Sequence, residues 1–252
     1  MTDLTLGTLS LSIPRVVGTV SSLETFGSIA AGGCVGCDIV EARLDEAHSS
    51  DIALWLEACK LVESEGTPVL ATLRLPADGG KWKDTDVSRK EFLQQALNLL
   101  SAIDVESESP LRPDLCDMAQ ALHKPLVVSY HNFECTPSEN ELCDLVDSIL
   151  ECPVAIPKIA TMVAHQKDLN VLSRVLNTYA EGRPICILGM GPMGLRTRVS
   201  FPGLGSKLTY GYLDRPSAPG QLPSAQLVSL LREILPEYNQ DQITRHTPME
   251  CV

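Results

Sequence analysis

The sequence predicts one (β/α)8 TIM barrel, a single α/β domain over residues 1–252. Short β-branched or aliphatic runs recur at intervals of roughly 25 to 30 residues, each followed by a helical pattern, which is typical of repeated βα units. About eight such runs are present, the number that a closed barrel requires. The length suits one α/β barrel, and no linker-like change of composition divides the chain before its tail.

The eight predicted strands are short apolar runs. In a barrel of this class the site lies at the carboxyl ends of the strands, so the polar residues that close the runs can be collected as one group before any chemistry is assumed. The predicted strands are Arg15–Val20, Asp38–Leu44, Val69–Leu73, Ala102–Glu106, Leu126–Tyr130, Val154–Ile159, Ile185–Met190 and Lys207–Tyr210.

Helices fill the intervals between these strands. A serine or threonine with a glutamate three residues later predicts where two of the helices begin. After Glu237 the sequence predicts a flexible C-terminal tail, residues 238–252. The predicted helices are Asp51–Glu65, a helix capped by Ser88 and Glu91, a helix capped by Thr136 and Glu139 with Pro137 at its first position, Asp168–Tyr179 and Ser224–Leu235.

Charge and cysteine content exclude several classes of function. The formal net charge of −12 argues against nucleic acid as a partner, because binding phosphates needs a basic surface. No run approaches the ~18 apolar residues of a membrane span, and the first residues do not resemble a signal peptide. Nine scattered cysteines suit reduced thiols and a cytoplasmic location, and Cys34 with Cys37 makes a poor zinc site without a second pair.

Lys158 is the strongest candidate for a catalytic residue. It lies in Val154–Ala160, a run too apolar for a solvated surface strand. A lysine there either extends its amine to solvent, forms an ion pair or is functional. Burial disfavours the charged form of an amine, and the neutral amine is the form that attacks a carbonyl. Taken alone it is more often a structural ion-pair partner. The polar residues at the other strand ends favour the catalytic interpretation.

His131 follows the fifth predicted strand directly. Taken alone, it is equally well a hydrogen-bonded histidine that packs the top of the barrel. The functional interpretation is a general acid/base, since histidine titrates near neutral pH. Strands five and six are neighbours in a barrel, so we expect His131 and Lys158 to lie close together.

Positive charge gathers at the same strand ends, against an acidic background. The planar fork of arginine binds a carboxylate bidentately, and the loops after strands seven and eight commonly bind anions in such barrels. Nearby carboxylates orient these arginines or the catalytic pair, or are simple salt-bridge partners. The residues collected with Lys158 and His131 are Glu41, Arg43, Asp45, Arg74, Asp104, Glu106, Met190 and Arg198.

Eight segments, in order over nearly the whole chain, match one known family. They are Glu41–Asp45, Thr72–Arg74 with Gly79–Gly80, Ile103–Glu106, Ser129–Phe133 with Thr136–Pro137, Pro157–Ala160, Met190–Gly194 through Arg198, Gly205–Thr209 and Ser217–Gln221. Each segment alone is weak, but together they make the sequence closely resemble the type I 3-dehydroquinate dehydratases of the shikimate pathway.

The resemblance implies a TIM-barrel lyase, usually a homodimer without metal or cofactor, that converts the small anionic ketone 3-dehydroquinate to 3-dehydroshikimate and water. It implies that Lys158 forms the Schiff base, that His131 is the acid/base, and that Arg198 binds the substrate carboxylate. The implied substrate-binding residues are Glu41, Arg43, Arg74, Arg198, Ser217 and Gln221, and the supporting residues are Asp45, Asp104, Glu106 and Met190.

Three positions depart from the usual pattern of that family. Gly189 and Thr197 stand where serine is more usual, and Asp78 stands where glutamate is more usual. These departures bear on loop closure and turnover more than on the catalytic pair. Two alternatives stay open from the sequence: another Schiff-base barrel of the class I aldolase kind, and an inactive barrel that binds a small carboxylate.

Overall fold

A computed structural model describes residues 4–32, 36–47, 51–218 and 220–246. A short hairpin, Thr5–Leu6 with Leu9–Ser10, precedes eight parallel strands. The strands are β1 (Arg15–Val20), β2 (Ile39–Arg43), β3 (Val69–Thr72), β4 (Ala102–Glu106), β5 (Leu126–Asn132), β6 (Ala155–Met162), β7 (Cys186–Met190) and β8 (Leu208–Tyr212). The prediction of eight strands is confirmed.

The sheet is a nearly closed barrel. Its strand order is β8-β1-β2-β3-β4-β5-β6-β7, so each strand pairs with its neighbour in sequence and β8 pairs with β1. Between β7 and β8 the contact is looser: Lys207 N donates to Ile185 O at 2.7 Å, and the Ser206 hydroxyl accepts from Ile187 N at 3.1 Å. The predicted (β/α)8 fold is therefore confirmed.

Helices surround the strands, with two single turns after β7. The bounds are α1 (Leu23–Gly32), α2 (Ile52–Ser64), α3 (Asp86–Leu99), α4 (Arg112–Ala121), α5 (Glu139–Leu150), α6 (Gln166–Tyr179), α7 (Gly191–Gly194), α8 (Thr197–Ser200), α9 (Ser224–Ile234) and α10 (Pro236–His246). No helix among these described residues is long and apolar enough to cross a membrane.

Both predicted capping boxes were placed wrongly. The N-cap of α3 is Thr85, three residues before Ser88, and its side chain accepts from Ser88 N. Helix α5 is capped by Ser138, whose capping box is closed by Glu141. The Thr136 hydroxyl instead donates to Met162 O at 2.8 Å. Pro137 therefore precedes the N-cap.

The inside of the barrel is built in layers of four side chains. Alternation along a strand points every second residue inward, and the residues of one layer come from alternate strands. The lower layers are apolar and fully buried. They hold Ile39, Ala102, Ile156 and Leu208 from the even strands and Val17, Leu70, Val127 and Cys186 from the odd strands. The buried side chains of Leu6, Leu9 and Leu11, from the hairpin segment, pack against these layers.

The expected tail begins as a helix. Tyr238 of α10 is fully buried, and its hydroxyl donates to Asp38 at 2.8 Å, just before β2. Arg245 also pairs with Asp38, and Arg15 of β1 pairs with Asp241. The polar composition after Glu237 predicted a solvated tail. In the structure, Tyr238 and Arg245 instead bind the buried carboxylate of Asp38. The remaining residues of the expected tail, 247–252, lie outside the described residues.

Two cysteines form a disulfide, so the expectation of reduced thiols is wrong for this pair. Cys116 of α4 is bonded to Cys152, in the turn that follows α5. Their separation of 36 residues gave no spacing motif from which the pairing could be predicted. Cys34 of the Cys34/Cys37 pair lies outside the described residues.

We expect reduction of the Cys116–Cys152 bond to lower the free energy of unfolding by about 2–4 kcal/mol. The bond joins residues 36 apart in the sequence, and without it the unfolded chain gains conformations that the bond excludes. For a chain of this size the melting temperature should fall by roughly 5 to 15 °C. Calorimetry of the wild type with and without dithiothreitol, and of Cys116→Ser, measures this. Cys135→Ser, at an exposed free thiol, is the control. Equal melting temperatures in all samples would contradict the prediction.

Candidate active site

The charged side chains of the barrel form one layer above its apolar floor. The even strands contribute Glu41, Asp104, Lys158 and Tyr210, each buried and each two residues further along its strand than the apolar residue below it. The odd strands place Thr19, Thr72, Ser129 and Leu188 directly above. Three of these are hydroxyls that hydrogen-bond the carboxylates beneath them.

A pocket of about 550 Å³, its open mouth included, lies over this layer at the carboxyl ends of the strands. Nine residues predicted from the sequence line it: Glu41, Arg43, Arg74, His131, Lys158, Met190, Arg198, Ser217 and Gln221. The predicted residues Asp45, Asp104 and Glu106 are all buried and contact the lining residues by ion pairs. The predicted set is therefore brought together in one place.

Lys158 is 5% exposed and faces three groups. Its Nζ donates to Asp104 Oδ2 at 3.1 Å and lies 3.7 Å from Glu41 Oε1. The third group is the ring of Tyr210, whose centroid is 4.1 Å from Nζ. Lys158 is thus ion-paired as the structural interpretation required, but it also lines a pocket that a small molecule can enter.

Asp104 and Glu41 are held by different partners. Asp104 also accepts from the Ser129 hydroxyl at 2.7 Å and pairs with Arg74 at 2.8 Å. Although burial opposes ionisation, the charges of Arg74 and Lys158 hold the pKa of Asp104 well below its usual range. Glu41 accepts from the hydroxyls of Thr19 and Thr72, at 2.9 and 3.0 Å. Both carboxylates are therefore fixed before any substrate binds.

Glu106 lies behind the pocket rather than on its wall. It accepts from Arg89 and from Leu75 N, and it lies 3.6 Å from Arg74. Arg89 of α3 is fully buried and also donates to Leu73 O at 2.9 Å. Glu106 therefore anchors Arg74 and the loop after β3, in agreement with a supporting position.

His131 is the sixth residue of β5, rather than the first residue of a loop. Its side chain is 12% exposed and stacks on Phe133, with ring centroids 6.1 Å apart. Burial and then the charges of Arg74 and Lys158 hold the pKa of His131 well below its ordinary value. The imidazole is therefore neutral at neutral pH, which leaves it able to accept a proton.

Asp78 is the nearest carboxylate to the imidazole of His131. The distance from Asp78 Oδ1 to His131 Nδ1 is 3.7 Å, and Nδ1 has no hydrogen-bond partner in the described part of the chain. Burial and the carboxylate of Glu106 raise the pKa of Asp78. The shorter side chain at this position thus stops just outside hydrogen-bond range of the histidine.

Of the three arginines that line the pocket, Arg198 alone has no acidic partner among the described residues. It is 2% exposed, and its guanidinium donates to Tyr210 O at 3.0 Å and Gly220 O at 3.2 Å. No carboxylate of the described ranges lies in salt-bridge distance of it, and burial lowers its pKa to about 10. A buried guanidinium that lacks a counter-ion is suited to bind an anion.

The other predicted residues form the rim of the pocket. Arg43 is tied to Asp45 by two hydrogen bonds of 2.8 Å, so its fork is already occupied. Ser217 and Gln221 bond each other across the loop after β8, where Ser217 N donates to Gln221 Oε1 at 2.7 Å. Gln221 Nε2 reaches Thr19 at 3.4 Å, which links this loop to the layer below.

The departures at Gly189 and Thr197 form a matched pair. The Thr197 hydroxyl accepts from Gly189 N at 2.8 Å and donates to Gly194 O at 2.6 Å. A Cβ at position 189 would lie 3.2 Å from the Thr197 methyl and 2.8 Å from Gly194 Cα. The Gly194 backbone and the Val163 side chain, which also lies 2.8 Å from that Cβ, therefore leave no room for a serine at 189, and the Thr197 hydroxyl holds the turn.

Sequence reasoning missed Tyr210 and Phe133, which also line the pocket. Tyr210 lies in a run of buried strand residues and looks like an ordinary core aromatic. The arrangement in layers could have identified Tyr210, because each alternate strand contributes one side chain to a layer of four, and Glu41, Asp104 and Lys158 already fill three of those places.

Comparisons with known proteins identify relatives over most of the chain. A model of the family described as type I 3-dehydroquinase matches residues 16–236. The 3-dehydroquinate dehydratase of Methanocella arvoryzae is 33% identical over 224 residues, which are 87% of this chain and 96% of that protein. That of Thermodesulfovibrio yellowstonii is 33% identical over 222 residues, 88% of this chain and 96% of that protein.

Solved structures of proteins with the same name share the fold. The 3-dehydroquinate dehydratase of Geobacillus kaustophilus superposes with a TM-score of 0.81 at 22% identity, covering 93% of this chain and 96% of that one. The protein of the same name from Aquifex aeolicus gives a TM-score of 0.76 at 27% identity, covering 87% and 98%.

Proposed function

Because the chain belongs to the type I 3-dehydroquinase family, we propose that it removes water from 3-dehydroquinate through an imine on Lys158 and releases 3-dehydroshikimate. It is a hydro-lyase of the shikimate pathway. The observation that carries the assignment of the site is the meeting of Lys158, His131 and the unpaired Arg198 around one pocket of a size that suits a small molecule.

The first step is imine formation. Lys158 gives one ammonium proton to neutral His131, and the amine that results attacks the ketone carbon. His131 returns that proton to the carbinolamine hydroxyl, which leaves as water and gives an iminium whose nitrogen carries the positive charge. Asp104 and Glu41 lie 3.1 and 3.7 Å from Nζ, where they offset that charge. The iminium makes the adjacent C–H bond more acidic, because its nitrogen accepts the electron pair that the C–H bond releases.

The second step is elimination. Neutral His131 takes the proton from the adjacent carbon, and the enamine that results expels the β-hydroxyl. The same histidine returns the proton to the leaving oxygen, so hydrogen and hydroxyl leave from one face. Hydrolysis of the product imine then consumes one water, which balances the water lost when the imine formed. The net reaction loses one molecule of water.

Trapping tests this proposal. Purified protein is mixed with 3-dehydroquinate, and formation of the conjugated enone is followed by ultraviolet absorbance. Borohydride is added to a second sample, and peptide mass spectrometry locates the reduced adduct. We expect enone formation and an adduct on Lys158. An adduct without enone favours a different Schiff-base barrel such as an aldolase, and neither signal favours an inactive carboxylate-binding barrel.

Arg198 is proposed to bind the substrate carboxylate. We expect Arg198→Lys to lower kcat/KM by roughly 30- to 100-fold, about 2–3 kcal/mol, because a bidentate charged hydrogen bond becomes a single one. Steady-state kinetics measure this, with Arg196→Lys on the neighbouring exposed position as the control. The methyl ester of the substrate, which lacks the negative charge, should be turned over equally by wild type and Arg198→Lys. An unequal rate with the ester would contradict the assignment.

We further propose that the whole chain acts as one catalytic domain, forms a homodimer and works in the cytoplasm. Family resemblance supports these three statements. The Cys116–Cys152 bond opposes the third of them, because disulfides persist mainly in oxidising compartments. Light scattering tests the dimer. Alkylation of free thiols in intact cells before lysis tests the compartment, since a cytoplasmic protein should carry the label on both Cys116 and Cys152.

A further inference from the structure

The nitrogen of Lys158 faces an aromatic ring as well as two carboxylates. The ring of Tyr210 lies with its centroid 4.1 Å from Nζ, which is within the range of a cation–π contact. Tyr210 is 4% exposed, so the contact is shielded from water. Both residues belong to the same layer of the barrel, and strand register rather than a loop therefore fixes their distance.

The hydroxyl of Tyr210 does not explain why a tyrosine ring lies here. Its oxygen is buried and has no hydrogen-bond partner among the described residues. A buried hydroxyl without a partner costs stability rather than adding it. The part of Tyr210 that contacts the nitrogen of Lys158 is the face of the ring, and phenylalanine would present the same face.

Imine formation changes what the neighbours of the nitrogen can do. An ammonium has three N–H groups and can donate to both Asp104 and Glu41, whereas a protonated imine has one N–H and can serve only one carboxylate well. The attraction between a cation and a ring face does not depend on N–H direction. A ring also cannot take the imine proton, as a carboxylate can.

We propose that the face of the Tyr210 ring stabilises the positive charge on the nitrogen of the Lys158 imine, which makes Tyr210 a further catalytic residue. This inference rests on the proposed function, because it requires that the imine form on Lys158. Tyr210 would then act on the same nitrogen of Lys158 that Asp104 and Glu41 already contact.

Two substitutions at this position separate ring from hydroxyl. Tyr210→Phe keeps the ring and is expected to keep kcat/KM within about twofold of wild type, whereas Tyr210→Leu should lose about 10- to 30-fold. The loss should fall on kcat, since Arg198 and the rim residues that bind substrate are unchanged, and less adduct should be trapped by borohydride at steady state. Wild-type kcat in Tyr210→Leu, or an equal loss in Tyr210→Phe, would overturn the inference.

A second series avoids any failure of Tyr210→Leu to fold. Phenylalanine with one, two and three ring fluorines, incorporated at position 210, keeps the shape of the ring and progressively removes the negative charge of its face. We expect the logarithm of kcat to fall steadily with the number of fluorines. A flat series would overturn the inference even though every variant folds.

The contact itself can be measured without any substrate. In the ligand-free protein, the ring current should shift the ε-methylene resonance of Lys158 upfield in wild type and Tyr210→Phe, but not in Tyr210→Leu. If the ε-methylene resonance is shifted but no 3-dehydroquinate adduct forms, the contact is real but the proposed function is wrong. The proposed role of Tyr210 is then wrong as well. An adduct with a flat fluorine series means that only the role of Tyr210 is wrong. No shift in wild type overturns the contact directly.

Discussion

Lys158→Ala is expected to form no borohydride-stable adduct and to lose turnover by roughly 10⁴-fold or more, because removal of a covalent nucleophile leaves only binding and acid/base groups. Enone absorbance measures turnover, and peptide mass spectrometry measures the adduct. Lys158→Met, which keeps most of the side-chain volume, should behave in the same way. Turnover near the wild-type rate in either variant would remove Lys158 from the mechanism.

Stability must be measured in parallel. Lys158 pairs with Asp104, and removing one partner of a buried ion pair destabilises a fold. Arg74 still pairs with Asp104 at 2.8 Å, so the carboxylate keeps a positive neighbour. We therefore expect both variants to fold, with lower melting temperatures. Lys60→Ala, at an exposed pair on α2, controls for the general loss of a lysine.

His131→Ala is expected to lose roughly 10²- to 10⁴-fold in kcat while it still forms a trapped imine slowly, because the general acid/base is absent but the nucleophile is intact. Borohydride reduction should therefore label Lys158 in this variant. His123→Asn is the control, since His123 is exposed and has a φ of 54°, a conformation that asparagine tolerates. Equal loss of the adduct in His131→Ala and Lys158→Ala would contradict the division of roles.

The pH profile of the wild type follows from the same geometry. Burial and the charges of Arg74, Lys158 and Arg43 lower the pKa of His131, against the opposing carboxylate of Asp104. The neutral form, which can act as a base, is lost only as pH falls through that lowered value. The acidic limb of kcat/KM that His131 causes should therefore lie below pH ~6.5, the pKa of an unperturbed histidine. This limb should be missing from the residual activity of His131→Ala.

The strands could be predicted because each is a short, mainly apolar run followed by a helical pattern. Lys158 and His131 were found because a charge inside an apolar run has few structural explanations. The starts of α3 and α5 were misplaced for different reasons. Thr136 and Ser138 each have a glutamate three residues later, so only three-dimensional contacts decide between them, whereas the true cap of α3, Thr85, has no glutamate at that distance.

Two further features could not be read from the sequence. Tyr210 looks like core packing until the register shows which nitrogen its ring faces. Cys116 and Cys152 carry no spacing signal, because the contact depends on how α4 and the turn after α5 lie together. Both depend on long-range geometry, whereas sequence patterns report mainly on local structure.

The binding of α10 to Asp38 has a consequence for how the chain is synthesised. Asp38 precedes the second strand and leaves the ribosome about 200 residues before Tyr238 and Arg245. Strand β1 likewise has no strand neighbour on one edge until β8 has been made. While the chain is still being made, the nascent barrel therefore exposes an unpaired strand edge and an unmatched carboxylate. Closure of the barrel can follow only synthesis of β8 and α10, so the active site assembles after these late elements have been made.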